Sequence, residues 1–493
     1  MARIKRLIDL PKVQLDRSDA TPLNRQIERQ LRELILSGDL RPQMRLPSTR
    51  QLADGLGCSR GTVVGAIEQL IAEGFLNSSS RSGTFVVGPL LRDAADRRGD
   101  KHAARPVKPA RLSLLGEFLA DAQRPTYRPG TAFSTGTPDV RDFPFAIWSR
   151  LCRSVWRQPP RDVVYNQDPA GYLPLRKAIA AYLHDTRGMR FEPSNVFITS
   201  GSQQGLDLVA RLLLNEGDRV WMEEPGFIEA RYALRSVGAG AVAVPVDSEG
   251  LSVADGRRRA PDARLAIVTP SHQYPMGMIM SYARRIELLD WARQADAWIL
   301  EDDYDSESRH SGAPLPALQA LDADETVIYM GTFSKALFSA LRIGYLVLPP
   351  RLMERFCRAR YNLDPFTSLM AQPVLTRFIE DGHFASYIQK TRRKLAARRE
   401  SVVSAARDYF GDAFAFQGDK AGLYVTAVFS GPLRGRSDDE AARKALAAGV
   451  VVAPLSSYYQ GPATAQGLIL GFGSVDEKTI RAGMATLSSV IDR

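Results

Sequence analysis

The stretch that most constrains this chain is Val327-Ile328-Tyr329-Met330-Gly331-Thr332-Phe333-Ser334-Lys335. A short apolar run passes through glycine into small and hydroxylated residues and then delivers one amine. Such a run reads as a buried strand ending in a turn. A lysine placed there loses water, and desolvation lowers its pKa and makes it a nucleophile toward aldehydes. Seven residues on, Arg342 brings a planar fork suited to a phosphate. A lone lysine is more often a solvated surface group, so the weight falls on the residues upstream of it.

About thirty residues upstream stands Ala297-Trp298-Ile299-Leu300-Glu301-Asp302-Asp303-Tyr304-Asp305. An apolar strand here runs into carboxylates and a tyrosine, as at the C-terminal edge of a parallel sheet, where ligands sit. A pyridine aldehyde cofactor needs an amine to attach to, a carboxylate for its ring nitrogen and a hydroxyl near its phenolate oxygen. Lys335, Asp302 and Tyr304 supply these in that order. The competing reading is a solvated turn after a strand.

With 493 residues the chain is too long for one core and suits two or three domains. Its net charge of +10 lies largely in the first third and favours an anionic partner such as nucleic acid. Cys58, Cys152 and Cys357 are far apart and fit neither a disulfide framework nor a metal site, so free thiols, no metal and a cytoplasmic location are expected. No uncharged run has the length of a membrane span, so no membrane partner is expected.

The first third reads as helices. Pro22 sits just inside a first helix through Leu23, Ile27, Leu31, Leu34 and Ile35, which Ser37-Gly38 ends. Ser48 caps a second helix from Thr49 to Leu56, and Gly57 breaks it. Ser59 caps a third, with Val63, Ile67, Leu70 and Ile71 on its inner face. This is a helix-turn-helix pattern, whose last helix enters the major groove by its N-terminal end, leaving Ser59, Arg60 and Thr62 to face the duplex. Phe75-Leu76 and Thr84 to Val87 flank a loop and make a wing with Arg81 and Gly83 at its tip, placed for minor-groove or phosphate contact. Solvated surface charge is the alternative for each arginine alone. From about Gly88 to Pro129 a basic, proline-containing stretch reads as a flexible connector, with a short helix from Leu112 to Leu119 docking on the large domain.

From about Thr131 strand-like and helix-like segments alternate, which implies a mostly parallel α/β sheet. Val196 to Thr199, a Ser-Gly-Ser turn and an amphipathic helix offer free amides and hydroxyls to a phosphate at Ser202 and Gln203. After Glu224-Pro225-Gly226, Phe227 is placed to stack on a pyridine ring, with a core phenylalanine as the alternative. Val374 through Phe410 reads as helical, and strands begin at Ala421 and Gly467.

These paired motifs resemble the MocR subfamily: a GntR-type winged helix over about Pro22 to Val87, then a fold-type I pyridoxal-phosphate aminotransferase body over about Thr131 to Arg493. The resemblance implies an α/β fold in which residues 15–88 form the DNA-binding winged helix, 89–129 the linker and 130–493 the effector and dimerisation domain. It implies Arg50, Arg60, Thr62 and Gly83 as DNA contacts, with Arg45 and Ser48 on phosphates. It implies that Lys335 holds pyridoxal 5'-phosphate covalently and that Asp302 and Tyr304 hold the ring. Ser202, Gln203 and Arg342 hold the phosphate, and Phe227 stacks. Tyr165 reaches the partner subunit's cofactor across a homodimer. His272 or Gln273 stands in for an asparagine turn that this chain lacks, with a structural loop histidine as the alternative.

Many aminotransferases carry an arginine on the last strand to grip a substrate carboxylate; by this resemblance Ile469 takes its place, and no Lys or Arg occurs from Ser456 to Val475, so the grip is expected to be missing there unless another arginine swings in. The expected function is a DNA-binding regulator of promoter half-sites that senses pyridoxal phosphate or its adduct with an amine. The alternatives are an active aminotransferase with a DNA-binding appendage, and a regulator of vitamin B6 synthesis whose effector is pyridoxal phosphate itself.

Overall fold

A computed structural model describes residues 13–79, 83–87, 111–120, 128, 130–136, 138–165, 168–310, 315–364, 367, 369–418 and 421–491. The chain divides into two compact units, Met1–Arg111 and Leu112–Arg493. Most of the expected connector, and Arg81 at the wing tip, lie outside the described residues.

In the first unit, α1 (Leu23–Ser37) buries Ile27, Leu31 and Ile35 at helical spacing, and Gly38 ends it in the left-handed region at φ 86°. Pro22 is the residue before the helix rather than inside it, because its ψ of 139° is extended. α2 (Thr49–Leu56) opens on a full capping box: the Ser48 hydroxyl accepts from the Gln51 amide, and the Gln51 side chain accepts from the Ser48 amide. α3 (Arg60–Ala72) starts at Ser59, whose hydroxyl accepts from the Thr62 amide at 3.1 Å. Its buried face is Val63, Ala66, Ile67 and Leu70; Ile71 lies at the rim, half-buried, one position round the helix. β1 (Leu76–Ser79) and β2 (Gly83–Val86) pair antiparallel from Leu76↔Val86 to Ser79↔Gly83 as the wing.

The second unit opens with α4 (Leu114–Ala120), α5 (Phe145–Arg157), α6 (Arg161–Tyr165) and α7 (Leu173–Arg187). Regular alternation therefore begins only afterwards, not at Thr131. It runs β3 (Val196–Thr199), α8 (Ser202–Leu213), β4 (Arg219–Glu224), α9 (Ile228–Ser236), β5 (Gly240–Asp247), β6 (Gly250–Leu251), α10 (Val253–Arg259), β7 (Leu265–Val268), α11 (Tyr282–Ala295), β8 (Trp298–Asp303), β9 (Val327–Thr332) and β10 (Gly344–Val347). These strands form one sheet in the order β3-β10-β9-β8-β7-β4-β5-β6. The run β9-β8-β7-β4-β5 is parallel. β10 runs antiparallel between β3 and β9, so β3 points the same way as the parallel set. Helices cover both faces, so β3, β7, β9 and β10 are buried along their whole length and read as continuous apolar runs.

The short helix α4 docks on α9: the Phe118 ring lies 5.5 Å from that of Tyr232, and the Arg235 guanidinium lies over it at 4.2 Å. After the sheet come α12 (Pro350–Leu363), α13 (Gln372–Glu380) and α14 (His383–Phe410). The expected single helix through Phe410 is thus two, broken where Gly382 takes φ 77°. A second sheet, β11 (Phe414–Gln417), β12 (Tyr424–Phe429), β13 (Ala453–Pro454) and β14 (Gly467–Gly471), is antiparallel in the order β11-β12-β14-β13. It shares an apolar core with α14, with α15 (Asp438–Ala447) and with α16 (Glu477–Val490). Among the described residues no helix is long and apolar enough to cross a membrane.

Candidate functional site

The common direction of β3, β4, β7, β8 and β9 brings their C-terminal ends to one edge of the sheet, where the sequence candidates follow each strand. On β8 successive side chains face opposite sides. Glu301 and Asp303 turn one way. Glu301 accepts the amides of Leu318 and Gln319 at 2.8 and 2.9 Å. Asp303 pairs with Arg187 at 2.9 Å and accepts the Tyr329 hydroxyl.

Asp302 turns the other way. It is 6% exposed, so the solvated-turn reading fails, and its Oδ1 has no hydrogen-bond partner among the described residues. Burial, reinforced by Asp303, Glu223 and Asp305, pushes its carboxyl up to about 8. A carboxylate so placed calls for a cation or a charged N–H donor, which a protonated pyridine nitrogen provides. Lys335, one turn past β9, donates from Nζ to the Gly136 carbonyl at 2.9 Å. Burial pushes its amine below the ordinary lysine value, the condition a carbonyl-reactive lysine needs.

The turn expected to hold the phosphate is built from glycine contacts. Gly201 holds φ 104° at the start of α8, and no side chain caps that helix. A Cβ on Gly201 would stand 3.3 Å from the Arg342 guanidinium, and one on Gly344 would stand 2.8 Å from the Gly201 Cα. Only glycine lets this turn and Arg342 approach so closely. The uncapped α8 amides and the helix dipole suit an anion there. Ser202 is half-buried here, while Gln203 and Arg342 are exposed. Sequence reasoning missed Ser334, whose buried Oγ also lacks a partner among the described residues. Its signal was present: a hydroxyl directly before Lys335 in the same turn.

Phe227 stands immediately before α9, half-buried, with its ring edge-on to Tyr274 at 6.1 Å and 86°. Tyr304 sits in a network: its hydroxyl lies 3.0 Å from the His272 carbonyl, 3.1 Å from His272 Nδ1 and 2.9 Å from the Tyr424 hydroxyl. Its one proton goes to one of these, so it donates to a ligand only after the network reorders. His272 Nδ1 also meets Asp305 at 2.9 Å. The Gln273 side chain is spent on the end of β4 and on its own loop, donating to Glu223 and to the carbonyls of Pro225 and Tyr274. Tyr165 ends α6 with 70% of its surface exposed.

In the first unit, Arg50, Arg60, Ser48 and Ser59 are exposed around the α2 and α3 N-termini, and Thr62 is half-buried. The Ser48 and Ser59 hydroxyls cap their helices, and Ser59 Oγ also lies 2.8 Å from Thr62 Oγ1. Arg60 Nε reaches Thr49 Oγ1 at 3.4 Å, which holds the guanidinium across the helix pair. Arg45 is exposed and crosses the wing, where a Cβ on Gly83 would stand 2.7 Å from its Nε. Gly83 takes φ 93°.

Residues 23–86 match the gntR family of bacterial regulatory proteins, and residues 161–486 match the class I and II aminotransferases. The chain is 40% identical to the probable rhizopine catabolism regulatory protein MocR of Rhizobium meliloti, over 96% of this chain and 95% of that protein. It is 32% identical to the HTH-type pyridoxine biosynthesis transcriptional regulator PdxR of Corynebacterium glutamicum, over 98% of this chain and 99% of that one. Among solved structures, Pyrococcus horikoshii kynurenine aminotransferase in complex with PMP superposes with a TM-score of 0.68 at 26% identity, covering 82% of this chain and 98% of its own.

Proposed function

The chain belongs to the MocR-type GntR regulators, bacterial proteins that join a winged helix to a class I and II aminotransferase body, and from that membership we propose a transcription regulator that binds DNA in response to pyridoxal 5'-phosphate or its adduct with an amine. The observation that supports this reading is the buried oxygen of Asp302, without a hydrogen-bond partner among the described residues, on the same sheet edge as the buried Lys335 amine. The chemistry the cofactor supplies when bound is an electrophilic carbonyl that exchanges one amine for another.

The residues divide the work. Asp302 offers the counter-charge for the ring nitrogen. Lys335 offers the attached amine. The α8 amides, Ser202, Ser334 and Arg342 hold the phosphate, Phe227 covers a ring face, and Tyr304 with His272 borders the phenolate edge. In the reader, Arg50, Arg60, Thr62, Arg45 and the wing meet the duplex. The boundaries proposed are 15–88 for the reader, 89–129 for the connector and 130–493 for the body, acting in the cytoplasm. A homodimer of the body presents two winged helices to paired half-sites, one turn of DNA apart or a multiple of it. The exposed Val164, Tyr165 and Leu173 belong to its interface. Cofactor or adduct favours one arrangement of the readers over another, which makes ligand and DNA affinities reciprocal.

Residual transamination is a second reading, favoured by Lys335 and Asp302 both being in place; half-reaction spectra with paired amino and keto acids test it. The main reading is tested by DNA binding of the full chain to its own upstream region with and without pyridoxal phosphate. A change in affinity that scales with cofactor occupancy is expected, and identical binding at zero and full occupancy overturns the proposal.

A further inference from the structure

Lys335 Nζ donates to the Gly136 carbonyl, 199 residues away in sequence, at 2.9 Å. We infer that this bond reads the state of the amine: it holds residues 130–136 in place while Nζ is a primary amine, and the hold is lost when Nζ is bonded to the cofactor carbon. This rests on the cofactor reading and names the part of the chain that first registers occupancy of that same site.

Residues 130–136 follow α4, on the side of the chain that leads back to the winged helix. Both flanks of Gly136 are fixed. Upstream, the Phe133 carbonyl accepts the Gly471 amide at 2.9 Å, at the end of β14, and the Ala132 carbonyl accepts the Val451 amide at 3.2 Å. Phe133 is fully buried in the core behind the second sheet. The fit is close: a Cβ on Gly471 would overlap the Ser134 carbonyl, and one on Gly483 would overlap the Ala132 side chain. Downstream, Asp139 pairs with Arg398 of α14 at 2.5 Å, and its carbonyl accepts the Tyr387 hydroxyl at 3.2 Å. Between these anchors Thr135 and Gly136 are only half-buried. Gly136 takes φ 81°, and a Cβ there would stand 2.9 Å from Nζ. Only glycine brings a carbonyl so close to this amine. The segment thus ties the second sheet and α14 to the main sheet at the atom that reacts.

A lysine amine donates to a carbonyl whether neutral or charged. Bonding to the cofactor changes that. Nζ attacks the aldehyde carbon, the C–O bond breaks, a C=N bond forms, and two of the nitrogen's hydrogens leave with the oxygen as water. At most one hydrogen then remains, and the cofactor's own phenolate oxygen competes for it. The Gly136 carbonyl loses its donor, which destabilises the seated segment. An incoming primary amine reverses this. It takes over the cofactor carbon, its two hydrogens pass to Nζ, and Nζ leaves as a primary amine that donates to Gly136 again. Cofactor alone and cofactor followed by an amine therefore act on the segment in opposite directions.

The test is amide hydrogen exchange, read by mass spectrometry on the full chain in three states: without cofactor, with saturating pyridoxal 5'-phosphate, and after methoxyamine, whose amino group takes the cofactor carbon and frees Nζ. The visible absorbance band reports whether Lys335 carries the cofactor. Exchange across residues 130–136 and at Gly471 is expected to rise on the order of tenfold with the cofactor, the effect of one lost hydrogen bond, and to fall back with methoxyamine. Ligand cover alone would slow exchange, so the sign discriminates. Gly136→Ala should acquire the band and exchange fast in all three states. Failure of the band to form in the unsubstituted protein overturns the cofactor reading, and this inference with it. A band that forms while exchange across 130–136 is unchanged or slowed overturns the inference alone, as does exchange that stays raised once methoxyamine has removed the band. If Gly136→Ala does not fold, Lys335→Ala decides: it should exchange fast with and without cofactor, and slow exchange there counts against the inference.

Discussion

Arg60 and Asp302 are both proposed to hold a ligand, and they sit in opposite physical situations. Arg60 projects from a helix end into solvent, its Nε 3.4 Å from Thr49 Oγ1. Asp302 is buried at the edge of a sheet, with one oxygen unpartnered among the described residues and its carboxyl pushed up to about 8. A solvated arginine costs the fold almost nothing, and it gains affinity by displacing counterions from the duplex. A buried carboxylate destabilises the empty protein until a ligand meets it. The reader should therefore act on DNA without altering the fold's stability, whereas occupancy of the body should be felt throughout its own core. That asymmetry makes the body the sensor and the reader the output.

The largest effect expected from this contrast is at Asp302. Asp302→Asn removes the counter-charge to the ring nitrogen and should weaken cofactor binding on the order of 100-fold, about 2–3 kcal/mol for a charged hydrogen bond; a spectroscopic titration measures it. Unchanged affinity would place the ring nitrogen elsewhere.

Next comes the pH response of the empty protein. Because the folded carboxyl of Asp302 titrates near 8 rather than at its ordinary 3.8, folded chains hold a proton that unfolded chains have lost between those values. Its contribution to stability is full below the unfolded value and is lost as pH rises through about 8. Glu223 and Glu307, pushed up to about 7 by burial, add the same sign. The thermal midpoint of the empty protein should fall as pH is raised from the acid side of neutrality to the alkaline side. Asp302→Asn and bound cofactor should each flatten that slope, and equal slopes in all three would remove Asp302 from the explanation.

Smaller effects belong to the reader. Arg60→Ala should weaken binding to all sequences and lower the salt slope of log affinity by about one, with the thermal midpoint unchanged. A drop confined to one DNA sequence would make Arg60 a base contact rather than a phosphate contact. Ser59→Ala removes a helix cap and should cost about 1 kcal/mol of reader stability in chemical denaturation.

The same contrast governs what could be read from the amino acids alone. Caps and breaks depend on neighbours in sequence, so Ser48, Ser59, Gly38 and Gly57 were legible where they stand. The strand ends that carry Asp302 and Lys335 were legible because apolar runs stop there abruptly. Gly382 was hidden because helical spacing continues on both sides of it. The engagement of Tyr304 with His272 and Tyr424 could not be foreseen because they lie 32 and 120 residues away. The loss of the anchoring arginine at Ile469 was visible, whereas the phenol cluster that closes over it was not.

One comparison decides whether sensor and output are joined through a single amine: DNA affinity of the full chain and of Lys335→Ala, each measured with and without saturating pyridoxal phosphate. The unsubstituted chain should acquire the visible absorbance band and change its affinity for the upstream region, while Lys335→Ala should show neither change. A variant that lacks the band yet still alters DNA binding on adding the cofactor would separate the two functions and refute the proposed linkage.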